Sequence, residues 1–201
     1  MSTGMPSTEK GRRTRERIVL AAAELVSEKG AAEVSLDDVG ERAPASRSQL
    51  YHYFEDREDL IRAAVVATSD AVLDAQAELF AQLDSWQGIE AWMSALVELQ
   101  VQRQASGGCP LGTLAGQLAE RDPQARAAIS AGLGQWQRHI EAGLASLQAS
   151  GGLRPDADPA RLAKATLALV QGGLLLTQVN RDPNELRESL DAALRLLRCE
   201  Q

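Results

Sequence analysis

The 201-residue chain is poor in the residues that staple or ligate. It has two cysteines, Cys109 and Cys199, and two histidines, His52 and His139. That scarcity excludes a disulfide framework and makes a Cys/His zinc site untenable, so neither a metal nor a cofactor is expected. Aromatic residues make up only 3% of the chain. β-Branched residues are scattered and no Asn-Gly or Asp-Gly pair is present to turn a hairpin, which argues against a sheet protein. No G-x-S-x-G, P-loop, H-E-x-x-H or G-x-G-x-x-G pattern occurs, so no catalytic residue is assigned and an enzyme is not expected. The most apolar stretch, Leu162 to Val179, is interrupted by Lys164, Gln171, Gly172, Gly173 and Gln178. It reads as a buried helix rather than a membrane span, and no membrane partner is expected. The basic N-terminal stretch lacks an apolar secretory core, which points to the cytoplasm and to reduced thiols.

The remaining composition is that of a globular helical protein. Hydrophobic residues make up 44% and charged residues 24%, enough for a sizeable core. The net charge of −7 argues against a surface that coats nucleic acid throughout, but the charge is uneven. Lys10, Arg12, Arg13, Arg15 and Arg17 crowd one short N-terminal segment, which suits neutralisation of phosphates. Ala, Leu, Glu, Gln and Arg dominate, and apolar residues recur at helical spacing almost everywhere. An all-α chain of about nine helices is predicted. Residues 1–8, rich in Ser, Thr, Gly and Pro, read as a disordered tail. A helix from about Lys10 to Lys29 presents Ile18, Ala22, Leu25 and Val26 and stops at Gly30. Short helices then open after Ser35, with Asp38 three residues on, and after Ser46, with Gln49 three residues on. Asp56 starts a long fourth helix running past Leu79. Later helices are expected near Trp86–Gln104, Leu111–Ala119, Pro123–Ser150, Pro159–Val179 and Pro183–Leu197, the last three each opened by Asp-Pro.

The two short helices, about three residues apart, have helix-turn-helix spacing. In that motif the second helix enters the DNA major groove with its N-terminal residues towards base edges. Those residues here are Ser46, Arg47, Ser48 and Gln49. Arg47, Ser48 and Gln49 are assigned to base reading, since Arg pairs with guanine and Gln with adenine. Ser46 is assigned to phosphate. Leu50, Tyr53 and Phe54 share one face at i, i+3 and i+4 and are expected in the core, while Tyr51 and His52 fall elsewhere and are expected at phosphates.

The stretch from Ile18 to Ala63 resembles the TetR family of bacterial transcriptional regulators. The resemblance lies in a first helix ending in Gly, then Ser35-Leu-Asp-Asp-Val39, then Ser46-Arg-x-x-Leu50-Tyr-x-Tyr53-Phe54, then Glu58-Asp-Leu60. Pro44 stands where the family usually has Gly, and Gly40 where it usually has Ala. The resemblance implies an N-terminal three-helix DNA-binding domain, residues 9–56, and a C-terminal helical domain for effector binding and dimerisation, residues 57–201. It further implies that Ser35 and Arg57 touch phosphate, and that a small hydrophobic effector releases a homodimeric repressor from a palindromic double-stranded DNA operator.

All three Trp lie in the second part. Trp86, Trp92, Met93, Leu96, Gln100, Cys109, Leu111, Leu114, Trp136, Ile140, Gln171 and Leu175 would give apolar walls with a few polar groups, as a ligand pocket requires. The same residues could equally well pack an ordinary helical core, and the family resemblance favours the pocket. The segment Gly108-Cys-Pro-Leu-Gly112-x-Leu114 resembles a subgroup of TetR-family C-terminal domains. Some relatives with a Cys there sense electrophiles or oxidants, so switching by modification of Cys109 is an alternative, and a buried hydrophobic Cys is the simpler reading. A third alternative is a helical enzyme or carrier without DNA binding. The last two helices carry Leu162, Thr166, Leu169, Gly173 and Leu176, then Leu186, Leu190, Ala193, Leu194 and Leu197. These are assigned to a two-fold, four-helix dimer interface, with close helix approach explaining interior glycines.

Overall fold

The computed structural model describes Pro6 and residues 8–201. Among the described residues there are ten helices and no strand. They are α1 (Glu9–Lys29), α2 (Leu36–Arg42), α3 (Arg47–Tyr53), α4 (Arg57–Asp74), α5 (Ala77–Phe80), α6 (Trp86–Gln102), α7 (Pro110–Leu118), α8 (Pro123–Ala149), α9 (Pro159–Asn180) and α10 (Asn184–Arg198). The expected tail, apart from Pro6 and Thr8, falls outside the described residues, and Thr8 caps α1 by accepting from Gly11 N at 3.1 Å.

The tenth helix comes from a break in the expected long fourth one. The Ala-rich run 71–77 holds no Gly or Pro, yet the helix ends at Asp74 and restarts at Ala77. Gln76 bonds back to Val72 O at 2.8 Å, and its Oε1 accepts from the Trp92 indole at 2.9 Å. A buried indole N–H needs an acceptor, and Gln76 supplies it by leaving the helical path.

The chain forms two compact units. The first comprises the residues up to Ala71 together with Thr113–Gly132, and the second comprises Val72–Gly112 and Leu133–Gln201. In the first unit Ile18, Ala22, Leu25, Val26, Val39, Leu50, Phe54, Leu60, Ile61, Ala64 and Val65 are buried. The capping boxes at Ser35/Asp38 and Ser46/Gln49 fix the starts of α2 and α3. Pro44, exposed in the turn between them, fits because no hydrogen bond is asked of its missing N–H.

The second unit is built round one apolar cluster that includes Trp92, Met93, Leu96, Leu111, Trp136, Ile140, Leu144, Leu186 and Leu190. Helices α9 and α10 meet at Gly173, where an added Cβ would lie 2.8 Å from Ser189 Cβ and 3.1 Å from Leu186 Cα. That close approach accounts for a residue costing about 1 kcal/mol relative to Ala inside a helix. Thr177 seals the pair by accepting from Leu186 N at 3.1 Å. At α10's C-terminus Arg198 bonds Glu90 at 2.7 Å and lies over the Trp86 ring at 4.6 Å.

Candidate DNA interface and ligand core

Helix α3 is anchored from behind. Leu50 and Phe54 are buried, and Arg15 of α1 lies 5.2 Å from the Phe54 ring centroid. Tyr53, expected in the core, is only half-buried and packs edge-on against His52. The opposite side is open, since Ser46, Arg47, Ser48, Gln49, Tyr51 and His52 are all exposed. Every residue assigned to base or phosphate contact on this helix is therefore accessible.

Several of these side chains already have internal work. Gln49 Oε1 accepts from Ser46 N at 2.9 Å. Ser46 Oγ accepts from Gln49 N at 3.3 Å and bonds Ser48 Oγ at 3.0 Å. Arg47 lies 3.5 Å from Asp37, an exposed pair worth little in water. Ser35 caps α2 and bonds Asp38. Lys29 at 2.8 Å and Ser35 hold the Asp38 carboxyl well below the usual carboxylate range. In the basic segment, Arg12 and Arg13 pair with Glu9 at 2.7 and 2.9 Å.

Arg57 departs from its expected role. Its Nε donates to Val34 O at 2.6 Å and its Nη2 to Ala31 O, so the guanidinium is turned into the α1–α2 turn rather than left for phosphate. Backbone carbonyls beyond a helix end need donors, and a buried turn takes the nearest cation.

Most of the expected pocket residues do come together. Trp92, Met93, Leu96, Cys109, Leu111, Trp136 and Ile140 share the core cluster of the second unit, with Trp86 packed against it. Gln100 is buried and Gln171 half-buried. Two are elsewhere: Leu114 belongs to the first unit and Leu175 is 60% exposed. Five buried polar atoms of the second unit have no hydrogen-bond partner: Trp86 Nε1, Gln100 Oε1, Trp136 Nε1, Thr166 Oγ1 and Gln171 Nε2. Cys109 is buried, and desolvation pushes its thiol up, only partly offset by the backbone amides of Gly112 and Leu111.

The expected dimer residues are mostly covered by the chain itself. Leu162, Thr166, Gly173, Leu186, Leu190, Ala193 and Leu197 are buried, Leu169 and Leu194 are partly so, and Leu176 is exposed. Helix α9 carries apolar residues on two sides, and the inner side meets α10. The open side holds Ala168, Gly172, Leu175, Leu176 and Val179, of which the expected interface includes only Leu176. Gly172 has no heavy atom within 4 Å of an added Cβ.

A family model described as "Bacterial regulatory proteins, tetR family" matches residues 18–64, which contain α2 and α3. A second, "Tetracyclin repressor-like, C-terminal domain", matches residues 85–193, more than half of the chain. The chain belongs to the TetR family. It is 28% identical over 191 residues to a helix-turn-helix transcriptional regulator from the lacX 3′ region of Lactococcus lactis, covering 90% of this chain and 91% of that one. It is 28% identical over 173 residues to the transcriptional regulator AcuR of Cereibacter sphaeroides, covering 85% and 79%. A TetR-family regulator of known structure from Cytophaga hutchinsonii superposes with a TM-score of 0.80 at 21% identity, covering 98% of each chain. The regulatory protein TetR from Rhodobacter sphaeroides gives 0.75 at 24% identity, covering 90% of this chain and 96% of that one. This TetR-family chain is a transcriptional regulator with a helix-turn-helix DNA-binding region, not an enzyme.

Proposed function

We propose that this regulator is a homodimeric repressor that acts in the cytoplasm, binds a palindromic operator and is released by a small uncharged effector. The observation that carries the reading is the open edge of α3, where Ser46–Gln49, Tyr51 and His52 are exposed while Leu50 and Phe54 are buried behind them. Arg47, Ser48 and Gln49 read bases, and Ser35, Ser46, Tyr51 and His52 hold phosphates. The 9–56 and 57–201 division describes the roles of the chain: reading DNA, then sensing and pairing.

The exposed side of α9 supports pairing, because a two-fold axis there would cover Gly172, Leu175, Leu176 and Val179 with their own copies. The second unit's unpartnered atoms support ligand binding, since each is costly to bury without a hydrogen bond. No charged side chain is fully buried among the described residues, so a charged ligand would find no counter-ion there. The buried, protonated state of Cys109 does not favour a thiol switch.

The test is selection of random duplexes by the purified protein. Enrichment of a palindrome, with base preference at one position per half-site relaxed by Arg47→Ala, is expected. No enriched sequence, or unchanged preference in the variant, would remove the assignment.

A further inference from the structure

The turn between α1 and α2 is held from outside. Helix α1 stops at Gly30, whose φ of 86° suits glycine, and the chain runs through Ala31 and Val34, each 2% exposed, to the cap Ser35. The carbonyls of Ala31 and Val34 receive Arg57 from α4. The Ala31 N–H, equally buried, donates to Gln117 Oε1 of α7 at 2.7 Å, across 86 positions of sequence. An added Cβ on Gly30 would lie 3.4 Å from the same oxygen, so the turn rests against the Gln117 carboxamide.

Gln117 lies within the stretch that the C-terminal family model matches, yet it folds with the helix-turn-helix in the first unit. A second tie runs parallel. Asp122 caps α8 by accepting from Gln124 N at 2.8 Å and Ala125 N at 2.9 Å, and it also receives Arg62 of α4 at 3.3 Å. Helix α7 opens in the second unit, where Leu111 is fully buried in the core cluster, and closes in the first.

We propose that Gln117 is a positioning residue for DNA binding, and that its bond to the Ala31 amide is the point at which α7 sets the geometry of α2 and α3. A buried N–H that loses its acceptor is costly, so the turn must shift when Gln117 withdraws. The turn leads directly into the cap of α2, and α2 leads through a short turn into α3. Loss of the Gln117 bond therefore re-aims the reading helix without touching a residue that faces DNA. The proposal rests on the DNA-binding role of α3 and needs no effector.

The experiment compares the full-length protein with Gln117→Met, which keeps the volume and removes the oxygen, and Gln117→Glu, which keeps an acceptor. Gln117→Ala is a second acceptor-free variant held to the same expectation should the Met variant fail to fold. Hydrogen exchange of the Ala31 amide and affinity for the selected duplex are both read. The acceptor-free variant should exchange faster at Ala31 and lose at least about 5-fold in affinity, the lower end of the cost of one unsatisfied buried amide. The ranking of single-base operator variants should be unchanged, and Gln117→Glu should restore both readouts. Unchanged Ala31 exchange would overturn the proposal, as would faster exchange with affinity within twofold of the parent. The exchange measurement requires no operator, so it still decides the fate of the Ala31 bond if no duplex is enriched.

Discussion

Replacing Leu175 by Glu should split the proposed dimer. Leu175, Leu176 and Val179 are 60%, 46% and 68% exposed, together about 1.7 side chains of uncovered apolar surface per copy. Full burial of one such side chain is worth about 1.5–3 kcal/mol, so this face could contribute about 5–10 kcal/mol to a two-fold pair. That is comparable with the cost of association, so no single residue on the face is dispensable. Leu175 alone accounts for about 1–2 kcal/mol per copy, or about 2–4 kcal/mol across the pair. Its loss should raise the dimer dissociation constant about 30- to 1,000-fold, before repulsion between the two new carboxylates is added. Sedimentation equilibrium over a concentration series measures this directly, with Leu190→Glu unsuitable as a comparison because Leu190 is buried within the chain and the substitution would unfold it. A Leu175→Glu protein that melts like the parent and still sediments as a dimer at nanomolar concentration would refute the placing of the interface on this side of α9.

Gln100→Met should raise the melting temperature of the protein. The buried Gln100 Oε1 has no donor, and relief of about 1–3 kcal/mol corresponds to about 2–4 °C for each kcal/mol in a chain of this size. A lower melting temperature would show that the amide is satisfied in solution. Asp122 has its pKa lowered by the amides of Ala125 and Gln124 and by Arg62. The folded value lies below the unfolded one near 3.9, so the stabilisation is full above that range and is lost as pH falls through the folded value. Melting curves from pH 6 to pH 3 should show the gap between parent and Asp122→Asn closing, and a constant gap would contradict the assignment. Iodoacetamide at neutral pH should label the exposed Cys199 well before Cys109, whose thiol is buried and raised, as mass spectrometry of a time course would show.

Where a local rule settles the matter, the sequence was sufficient. Ser35/Asp38 and Ser46/Gln49 form the capping boxes their spacing predicts, and Asp158 caps α9 with Pro159 in the first turn. The exposure of α3 follows in part from the same source, because burial of Leu50 and Phe54 at i and i+4 turns Ser48, Gln49 and His52 outward, while Arg47, on the same stripe, is exposed at the open first turn. What escaped was set by distant partners. The break before α5 depends on Trp92 bonding Gln76, sixteen positions away. The direction of Arg57 depends on carbonyls at Ala31 and Val34, and the role of Gln117 on an amide 86 positions earlier. Both apolar stripes of α9 satisfy helical spacing, and only the approach of α10 at Gly173 shows which one the chain itself covers.

The capping box of α3 constrains what Gln49 can say to a base. Its carbonyl oxygen already accepts from the Ser46 amide, which leaves the Nε2 group as its freer contact. The two-bond grip on adenine, which needs both, must share that oxygen with the Ser46 amide. A lone donor is satisfied by purine N7, guanine O6 or thymine O4 but is opposed by the amino group of cytosine. In the proposed mode of binding, the operator position facing Gln49 should thus be read chiefly through that donor, which disfavours cytosine, while Arg47 next to it carries the positive preference.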